Sequence, residues 1–389
     1  MNYPLISEYE EAIKMAEDNF EELSYLRPVL DDTGQPMMSS GNFAVVFKMR
    51  DERDGKLYAV RCFHRDQEGR EESYRLIEEE LKDVESPYLV SFRYIDKELF
   101  VDSNQTDETE FSILLMDWVE GITLDKYLRE NIDDQYALEM LAYRFSQLAQ
   151  WLIPQPFAHG DLKPDNILVR EDGTLVLVDY DGMYVPAMKG QKAREIGSPD
   201  YRHPARTEKD FDEHIDDFSL VLILLSLKAI SLNPHLLEES DTDCMLFSEK
   251  DFRALGGCER LAYLLRLNDV DINRLLGLLL LAYTEGNLSN VSFKLLCVTK
   301  PQRDDSHFSR TTKKECTTTE SEQEVLSVLH KVLNNQDALF YYNGAAYYYR
   351  QGDSATALDF INRAIELGDD DMKELATKRR SFILANQMI

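Results

Sequence analysis

The sequence has few cysteines, and no two of them stand at the spacing of a metal site. The count is five in 389 residues, an odd number without a Cys-x-x-Cys pair. This pattern excludes a disulfide-stapled secreted domain and a zinc module, and it is typical of free thiols in a reducing compartment. The five are Cys62, Cys244, Cys258, Cys297 and Cys316.

Long apolar runs and positive charge are also scarce. The longest apolar run, residues 218–227, is roughly half of what a helix needs to cross a bilayer, and residues 1–20 lack the pattern of a secretory signal. Against 43 Lys and Arg stand 72 Asp and Glu, for a formal net charge of -29. The lack of a signal and of a spanning segment predicts a cytoplasmic protein, and the negative field, which repels nucleic acid and anionic lipid, predicts no nucleic-acid and no membrane partner.

The region 39–119 has the apolar pattern of a small sheet with one helix. Two runs rich in β-branched and aromatic residues flank the turn Arg53-Asp54-Gly55, which predicts an antiparallel hairpin. The predicted strands are 43–48, 57–63, 88–95 and 112–118, and the predicted helix is 71–84. The segment before it, residues 1–38, begins with helical spacing and is predicted to be a helical extension.

Beyond Gly121 the predicted elements are mainly helices with one short hairpin. The helices are 135–152, 216–230, 259–266 and 271–283, and the strands are 166–169 and 175–178. Residues 299–322 are rich in Thr, Ser and charge, which predicts a flexible linker at the end of this region.

Residues 323–389 contain one 34-residue period that matches a tetratricopeptide repeat (TPR). The matching residues are Tyr341, Gly344, Ala345, Tyr348, Gly352, Ala357, Ile361 and Ala364. Because one repeat cannot bury its own apolar face, flanking helices are predicted at 323–333 and 371–386. Such a domain is expected to bind a protein partner or to dock on the rest of the chain.

The clearest chemical motif is His-Gly-Asp-Leu-Lys-Pro-Asp-Asn at residues 159–166, followed by Asp179 at the end of a predicted strand. Phosphoryl transfer requires a carboxylate that orients the attacking hydroxyl and oxygen ligands that hold magnesium across the phosphates. Asp161 suits the first role, and Asn166 with Asp179 the second. Lys163 can neutralise charge on the transferred group, so the motif predicts a phosphotransferase that uses ATP and Mg²⁺.

These motifs resemble those of protein kinases over residues 39–298, and more narrowly those of a divergent bacterial group of Ser/Thr kinase-like proteins. The shared segments are SGNFAVV at 40–46, YAVRCF at 58–63, HGD at 159–161 and DYDGMYVP at 179–186. The resemblance implies an α+β bilobal fold, with a five-stranded sheet in the N-lobe (39–119), a mainly helical C-lobe (120–298) and a small all-α TPR-like domain (323–389).

The resemblance also implies where a nucleotide lies. The residues expected to bind ATP are Ser39, Ser40, Gly41, Val46, Ala59, Arg61, Met116, Asp117, Trp118 and Lys163. The loop at 39–46 covers the phosphates, Arg61 stands at the position of the phosphate-gripping lysine, and the hinge after Met116 offers backbone groups to the base.

Several departures from the family pattern predict slow turnover. Only Gly41 remains of three loop glycines, and Ala44 adds a Cβ where the backbone approaches the phosphates. Arg61 is longer and planar where the family has lysine, so its reach differs. The glutamate that normally pairs with that lysine is not evident, because counting along the helix places Ile77 there, with Glu78 beside it.

The segment 179–204 lacks the usual signals of activation by phosphorylation. Gly160 replaces the arginine that senses a phosphorylated loop in many kinases, and the segment has no threonine and a single serine, Ser198. We therefore expect a Ser198→Ala variant to keep its activity. Residues 197–204 match the end of a kinase activation segment, with Ala205 in place of its glutamate.

Three functions are compatible with these residues. The first is a Ser/Thr kinase acting on a protein or peptide substrate. The second is a pseudokinase scaffold that binds nucleotide weakly and partners through the TPR-like domain, as the departures above would favour. The third is a small-molecule kinase of the aminoglycoside or choline type, which also uses His-Gly-Asp but lacks counterparts of residues 197–204 and 216–219.

Overall fold

A computed structural model describes residues 2–41, 43–238, 244–253, 255, 258–302, 338, 341–346, 349 and 354–385. The chain divides into two units, Met1–Asp304 and Asp305–Ile389. The predicted helix at 323–333 and all but the first residues of the predicted linker lie outside the described residues. None of the helices described could span a membrane. Four of the five cysteines are described, and none of these four forms a disulfide.

The first unit begins with helices α1 (Ile6–Lys14) and α2 (Ala16–Asn19) and continues as an antiparallel sheet. Its strands are β1 (Leu26–Pro28), β2 (Met38–Ser40), β3 (Ala44–Asp51), β4 (Leu57–Phe63), β5 (Phe92–Phe100) and β6 (Glu110–Asp117). Their order is β1-β3-β4-β6-β5, with β2 also paired to β3. Five of these strands, β2 to β6, belong to the predicted N-lobe, and the sixth is β1 of the N-terminal extension, which pairs with β3. The prediction that the extension is helical was therefore incomplete.

The sheet presents its two faces to different parts of the unit. On β3, Val45 and Phe47 are fully buried against a cluster that includes Tyr9 of α1. Val46 lies between them in sequence and therefore faces the other side. Arg61 of β4 is the register partner of Val46, so its side chain leaves the sheet on that same side, where helix α3 (Arg70–Leu81) packs.

The rest of the first unit is mainly helical. Its helices are α4 (Leu124–Glu130), α5 (Gln135–Leu152), α6 (Asp217–Leu232), α7 (His235–Glu238), α8 (Glu249–Arg253), α9 (Glu259–Arg266) and α10 (Val270–Glu285), and its strands are β7 (Ile122–Thr123), β8 (Ile167–Val169) and β9 (Leu175–Leu177). Helix α6 is buried over almost its whole length, which confirms residues 218–227 as core.

The short hairpin positions two predicted site residues. Strands β8 and β9 pair with Ile167 opposite Leu177, and the Val178 N–H continues the ladder to the Asn166 carbonyl at 3.0 Å. Asn166 and Asp179 therefore lie at the same end of the hairpin.

The described part of the second unit contains helical residues 341–346 and two helices, α11 (Ser354–Leu367) and α12 (Asp370–Ala385). Ala345, Ile361 and Ala364 are fully buried where these helices meet. At Gly344 a Cβ would stand 2.5 Å from the Phe360 ring, so the helices approach closely there. The small residues lie at a helix interface as predicted, but assignment to a tetratricopeptide repeat stays a prediction.

Candidate active site

The motif at residues 159–166 is held in place by Asp216, the residue directly before helix α6. The Asp216 carboxylate, only 3 % exposed, accepts hydrogen bonds from the backbone N–H groups of His159 and Gly160, the latter at 2.9 Å. Burial raises the pKa of this carboxyl above its ordinary value. The His159 ring nitrogen is 2.9 Å from the Val178 carbonyl, which ties the loop to the hairpin that carries Asp179.

The predicted catalytic residues lie close together around Asp161. The Asn166 amide donates to the Asp161 carbonyl at 2.9 Å and to its Oδ2 at 3.1 Å, and Lys163 Nζ is 2.9 Å from the same Oδ2. Burial alone would lower the pKa of Lys163, but the Asp161 charge and hydrogen bond raise it above its ordinary value. Lys163 is therefore held as an ammonium ion beside the carboxylate.

Ser198 completes this group, although no role in the site was predicted for it. Its N–H donates to Asp161 Oδ1 at 2.7 Å, and its hydroxyl donates to the same oxygen at 3.0 Å. The hydroxyl also accepts from Lys163 Nζ at 3.2 Å. Farther along the segment, Ser219 of α6 donates to the Tyr201 carbonyl at 2.8 Å, so the segment's end is fixed to the core.

These contacts reverse the expectation for a Ser198→Ala variant. Loss of a hydrogen bond to a charged group costs about 1.5–3 kcal/mol, so we expect kcat to fall by about ten- to a hundredfold with the KM for ATP little changed. A Ser112→Ala variant is the matched control, since its hydroxyl donates to the exposed Asp96 at 2.7 Å and accepts from the Lys97 N–H at 3.3 Å, contacts that do not involve Asp161. An unchanged kcat for Ser198→Ala in a steady-state phosphate-transfer assay would restore the original expectation.

Arg61 lies between two carboxylates of the segment after β9. Its Nη1 is 2.7 Å from Asp179 Oδ1, and its Nη2 is 2.5 Å from Asp181 Oδ2. The residue is only 8 % exposed. Tyr74 of α3 donates its hydroxyl to the second oxygen of Asp181. Arg61 thus has two anionic partners, and neither comes from α3.

Helix α3 supplies a tyrosine at the site. Glu78 accepts a hydrogen bond from the Tyr94 N–H at 3.1 Å, and Ile77 is buried in the core. Tyr74 lies one turn before Ile77, and burial raises the pKa of its hydroxyl well above the ordinary value, so it stays a donor. As expected from the sequence, α3 offers Arg61 no glutamate partner among the described contacts. The pairing of Arg61 with Asp181 was not predicted.

Asp179 has an unusual backbone conformation. Its φ is 69°, in the left-handed region that non-glycine residues seldom occupy. Burial would raise the pKa of its carboxyl, but the Arg61 guanidinium outweighs this effect and holds the pKa below the ordinary value. The side chain is 41 % exposed. Strained residues of this kind are concentrated at functional sites.

Asn166 and Asp179 fit a magnesium ion by the chemistry of their oxygens. The Asn166 amide nitrogen is turned toward Asp161, which leaves its oxygen for another partner. Magnesium takes one or two protein oxygens and completes its shell with water and phosphate oxygens. Burial, and after it the charges of Asp181, Asp179 and Asp161, raise the pKa of Glu195 to about 7. Burial is the largest cause, and a bound divalent cation would oppose only the part that comes from the three carboxylates.

The predicted phosphate loop connects β2 and β3, and its residue 42 lies outside the described residues. Ser39 and Ser40 belong to β2 and are exposed, and the Gly41 N–H donates to the Ala44 carbonyl at 2.9 Å. Apart from that carbonyl, 3.8 Å away, no described atom approaches the place of a Gly41 Cβ. The space on the side of Gly41 where a Cβ would lie is therefore open.

The hinge differs in detail from the prediction. The Trp118 N–H donates to the Leu57 carbonyl at 3.2 Å, so it belongs to the sheet, and Lys48 Nζ lies 4.6 Å from the Trp118 ring centroid. The Asp117 carboxylate pairs with Lys56 at 2.6 Å. Ala59 is the register partner of Met116 across the strands, and both are 9 % exposed.

The fold and the site together define a kinase-like phosphotransferase. The family model of the protein kinase domain matches residues 35–248, more than half of the chain, and the chain belongs to this family. It is 26 % identical over 200 residues to citron rho-interacting kinase of Rattus norvegicus, covering 49 % of this chain and 9 % of that protein. It is 27 % identical over 199 residues to serine/threonine-protein kinase Sgk2 of Homo sapiens, covering 49 % and 51 %. The chain thus aligns with about half the length of Sgk2 and with far less of citron kinase.

Proposed function

We propose that the chain is a protein serine/threonine kinase that uses Mg-ATP to phosphorylate a hydroxyl of a protein or peptide. The observation that supports this most strongly is that the side chains of Lys163 and Asn166 both lie within 3.1 Å of the Asp161 carboxylate, at the end of the hairpin that also carries Asp179. A fold retained only for binding has no need of this full set.

In this proposal the residues around Asp161 position the acceptor. Three donated hydrogen bonds and one ion pair fix the Asp161 carboxylate. In this position the carboxylate orients the acceptor hydroxyl and receives its proton. Lys163 faces the charge that develops on the transferred group. Mg-ATP supplies the phosphoryl group, and Asn166 and Asp179 would hold the metal. The acidity of the chain favours an acceptor with basic residues near its hydroxyl.

The nucleotide would lie between the lobes. The turn at Ser39, Ser40 and Gly41 would cover the phosphates, and Val46, Ala59 and Met116 would enclose the base. Because the Trp118 N–H is engaged in the sheet, the next residue, Val119, is the better candidate for the backbone contact with the base edge.

The finer assignments belong to the same proposal. They are a place in the divergent bacterial kinase-like group, a cytoplasmic location and a TPR-like domain at 323–389 that binds a protein partner or docks on the kinase domain. The motifs at residues 159–166 and 179–186 support the first. The small residues buried between helices of the second unit support the third.

Nucleotide binding measured with and without magnesium tests the proposal. We expect the wild type to bind a fluorescent ATP analogue about tenfold more tightly with Mg²⁺ than with EDTA, and an Asp179→Ala variant to lose that difference, because one metal ligand is gone. An Asp172→Ala variant, changed in an exposed turn, is the control. Magnesium dependence that persists unchanged in Asp179→Ala would contradict the assignment of the metal site.

The pseudokinase scaffold remains the second candidate, because Arg61 is engaged with two carboxylates and is almost fully buried. Autophosphorylation or phosphate release by the wild type would decide against it. A small-molecule kinase is less favoured, since the segment at 197–204 is fixed to α6 through Ser219, as in the protein kinase pattern.

A further inference from the structure

We propose that Asp181 is a positioning residue: it is the permanent counter-ion of Arg61, and by sharing this arginine with Asp179 it weakens the competition between the arginine and magnesium for Asp179. The proposal rests on the proposed function for its magnesium part, whereas the pairing itself concerns the protein without ligands. It assigns to the second acid of the Asp-Tyr-Asp-Gly sequence the task that the kinase pattern gives to a glutamate of the N-lobe helix.

The two carboxylates beside Arg61 have unequal surroundings. The Asp181 side chain is 5 % exposed, and its two oxygens have separate donors, Arg61 on one and Tyr74 on the other. The Asp179 side chain is 41 % exposed. A buried carboxylate must stay paired, because removing it from water is costly unless an opposite charge and hydrogen bonds compensate. Asp181 is thus the fixed partner, and Asp179 is the one accessible to a metal ion.

The turn that carries Asp181 is itself held rigidly. The Tyr180 hydroxyl accepts from the Val90 N–H at 2.8 Å and donates to the Leu177 carbonyl at 3.1 Å. On the other side, the Gly182 backbone packs directly on Gly160. Residues 180–182 therefore cannot turn away from Arg61 without breaking contacts in both lobes.

A guanidinium shared between two carboxylates divides its attraction between them. With Asp181 neutralised, Asp179 would be the sole anionic partner among the described contacts of Arg61, and the two would pair more strongly. Magnesium would then have to compete with a stronger Arg61–Asp179 pair than the one present in the wild type. The consequence is a higher magnesium requirement, which mere loss of packing does not predict.

The magnesium arm of the test uses the full chain and a fluorescent ATP analogue titrated at increasing Mg²⁺ concentration. We expect Asp181→Asn to raise the magnesium midpoint about tenfold, and Tyr74→Phe, which keeps both charges and removes one hydrogen bond, to raise it about two- to threefold. Asp54→Asn, with the same charge change in the exposed β3–β4 turn, should leave it unchanged. A midpoint unchanged in Asp181→Asn despite a lower melting temperature overturns the proposal and leaves Asp181 a structural residue.

A second arm needs no nucleotide and so separates this proposal from the kinase assignment. Melting temperatures are compared for Asp181→Asn and Asp179→Asn, each in the wild type and in an Arg61→Met background. We expect a loss of several degrees for Asp181→Asn that largely disappears when Arg61 is absent, and a clearly smaller loss for Asp179→Asn. An equal loss from Asp181→Asn in both backgrounds means that Arg61 is not its partner. If the wild type binds no nucleotide, the kinase proposal fails while this arm still decides the pairing.

Discussion

Replacement of Asp161 by asparagine should reduce phosphoryl transfer by about a hundred- to ten-thousandfold, because the acceptor hydroxyl loses the carboxylate that orients it and takes its proton. The nucleotide affinity should change little, since Asp161 is not among the residues expected to hold the base or the metal. Transfer of labelled phosphate from ATP to the chain itself or to a basic peptide, measured under single-turnover conditions, gives the rate.

A partial loss of phosphoryl transfer in Asp161→Asn could also arise from the hydrogen bonds around this residue. Both oxygens of Asp161 accept hydrogen bonds, from Ser198 on one and from Lys163 and Asn166 on the other. An asparagine must turn its N–H₂ group toward one of these donors, which costs about 1–3 kcal/mol. Melting temperatures should therefore be measured beside the rates. Asp165→Asn, an exposed position in the same loop, is the matched control, and equal rates for the two variants would mean that Asp161 is not the base.

The proximity of the candidate site residues at 161–166 could be predicted from sequence because they lie within a short segment. Asp161, Lys163 and Asn166 are at most five positions apart, and their contacts form within that loop. Asp179 was found because it closes a strand that pairs with the one after Asn166. Local spacing and one hairpin are enough to bring these four together.

The partners of these residues could not be predicted in the same way. Ser198 is 37 positions from Asp161, and Asp181 is 120 positions from Arg61. Helix α3 shows the difficulty most clearly, because its spacing determines which residues share a face but not which turn meets the site. The residue that reaches Asp181 is Tyr74, one turn before the position that counting assigned.

Two of the six strands, β1 and β2, could not be located from the apolar pattern, for a similar reason. Strand β1 is three residues long and ends in a proline, which is confined to strand ends and edges, and all three residues of β2 are exposed. Neither shows the alternation of apolar and polar residues from which strands are recognised. Helix α5, with a long apolar stripe, was predicted with the bounds that the structure has.

Gly160→Ala should destabilise the fold by more than about 4 kcal/mol, a loss found only where a core or backbone contact is violated. The residue has φ +82°, and a Cβ there would stand 1.9 Å from the Gly182 carbonyl oxygen. Neither backbone can easily move away. The Gly160 N–H is bonded to Asp216 at 2.9 Å, and its carbonyl accepts from Arg206 Nη1 at 2.7 Å. Gly160 therefore does more than leave out the arginine found at this position in many kinases. Backbone packing against Gly182 requires a residue without a Cβ there.

Denaturant unfolding gives the test, with Gly55→Ala as a control that separates strain from collision. Gly55 has nearly the same φ, +81°, but no described heavy atom lies within 4 Å of its Cβ position, so alanine should cost only the strain of about 1–2 kcal/mol. The unfolding midpoint of Gly160→Ala should lie well below that of Gly55→Ala. Because the collision would push apart the loop with Asp161 and the turn with Asp181, any folded Gly160→Ala protein should also lose phosphate transfer. Similar midpoints for both variants would show that the Gly182 carbonyl yields and that the contact between the two glycines does not fix the loop.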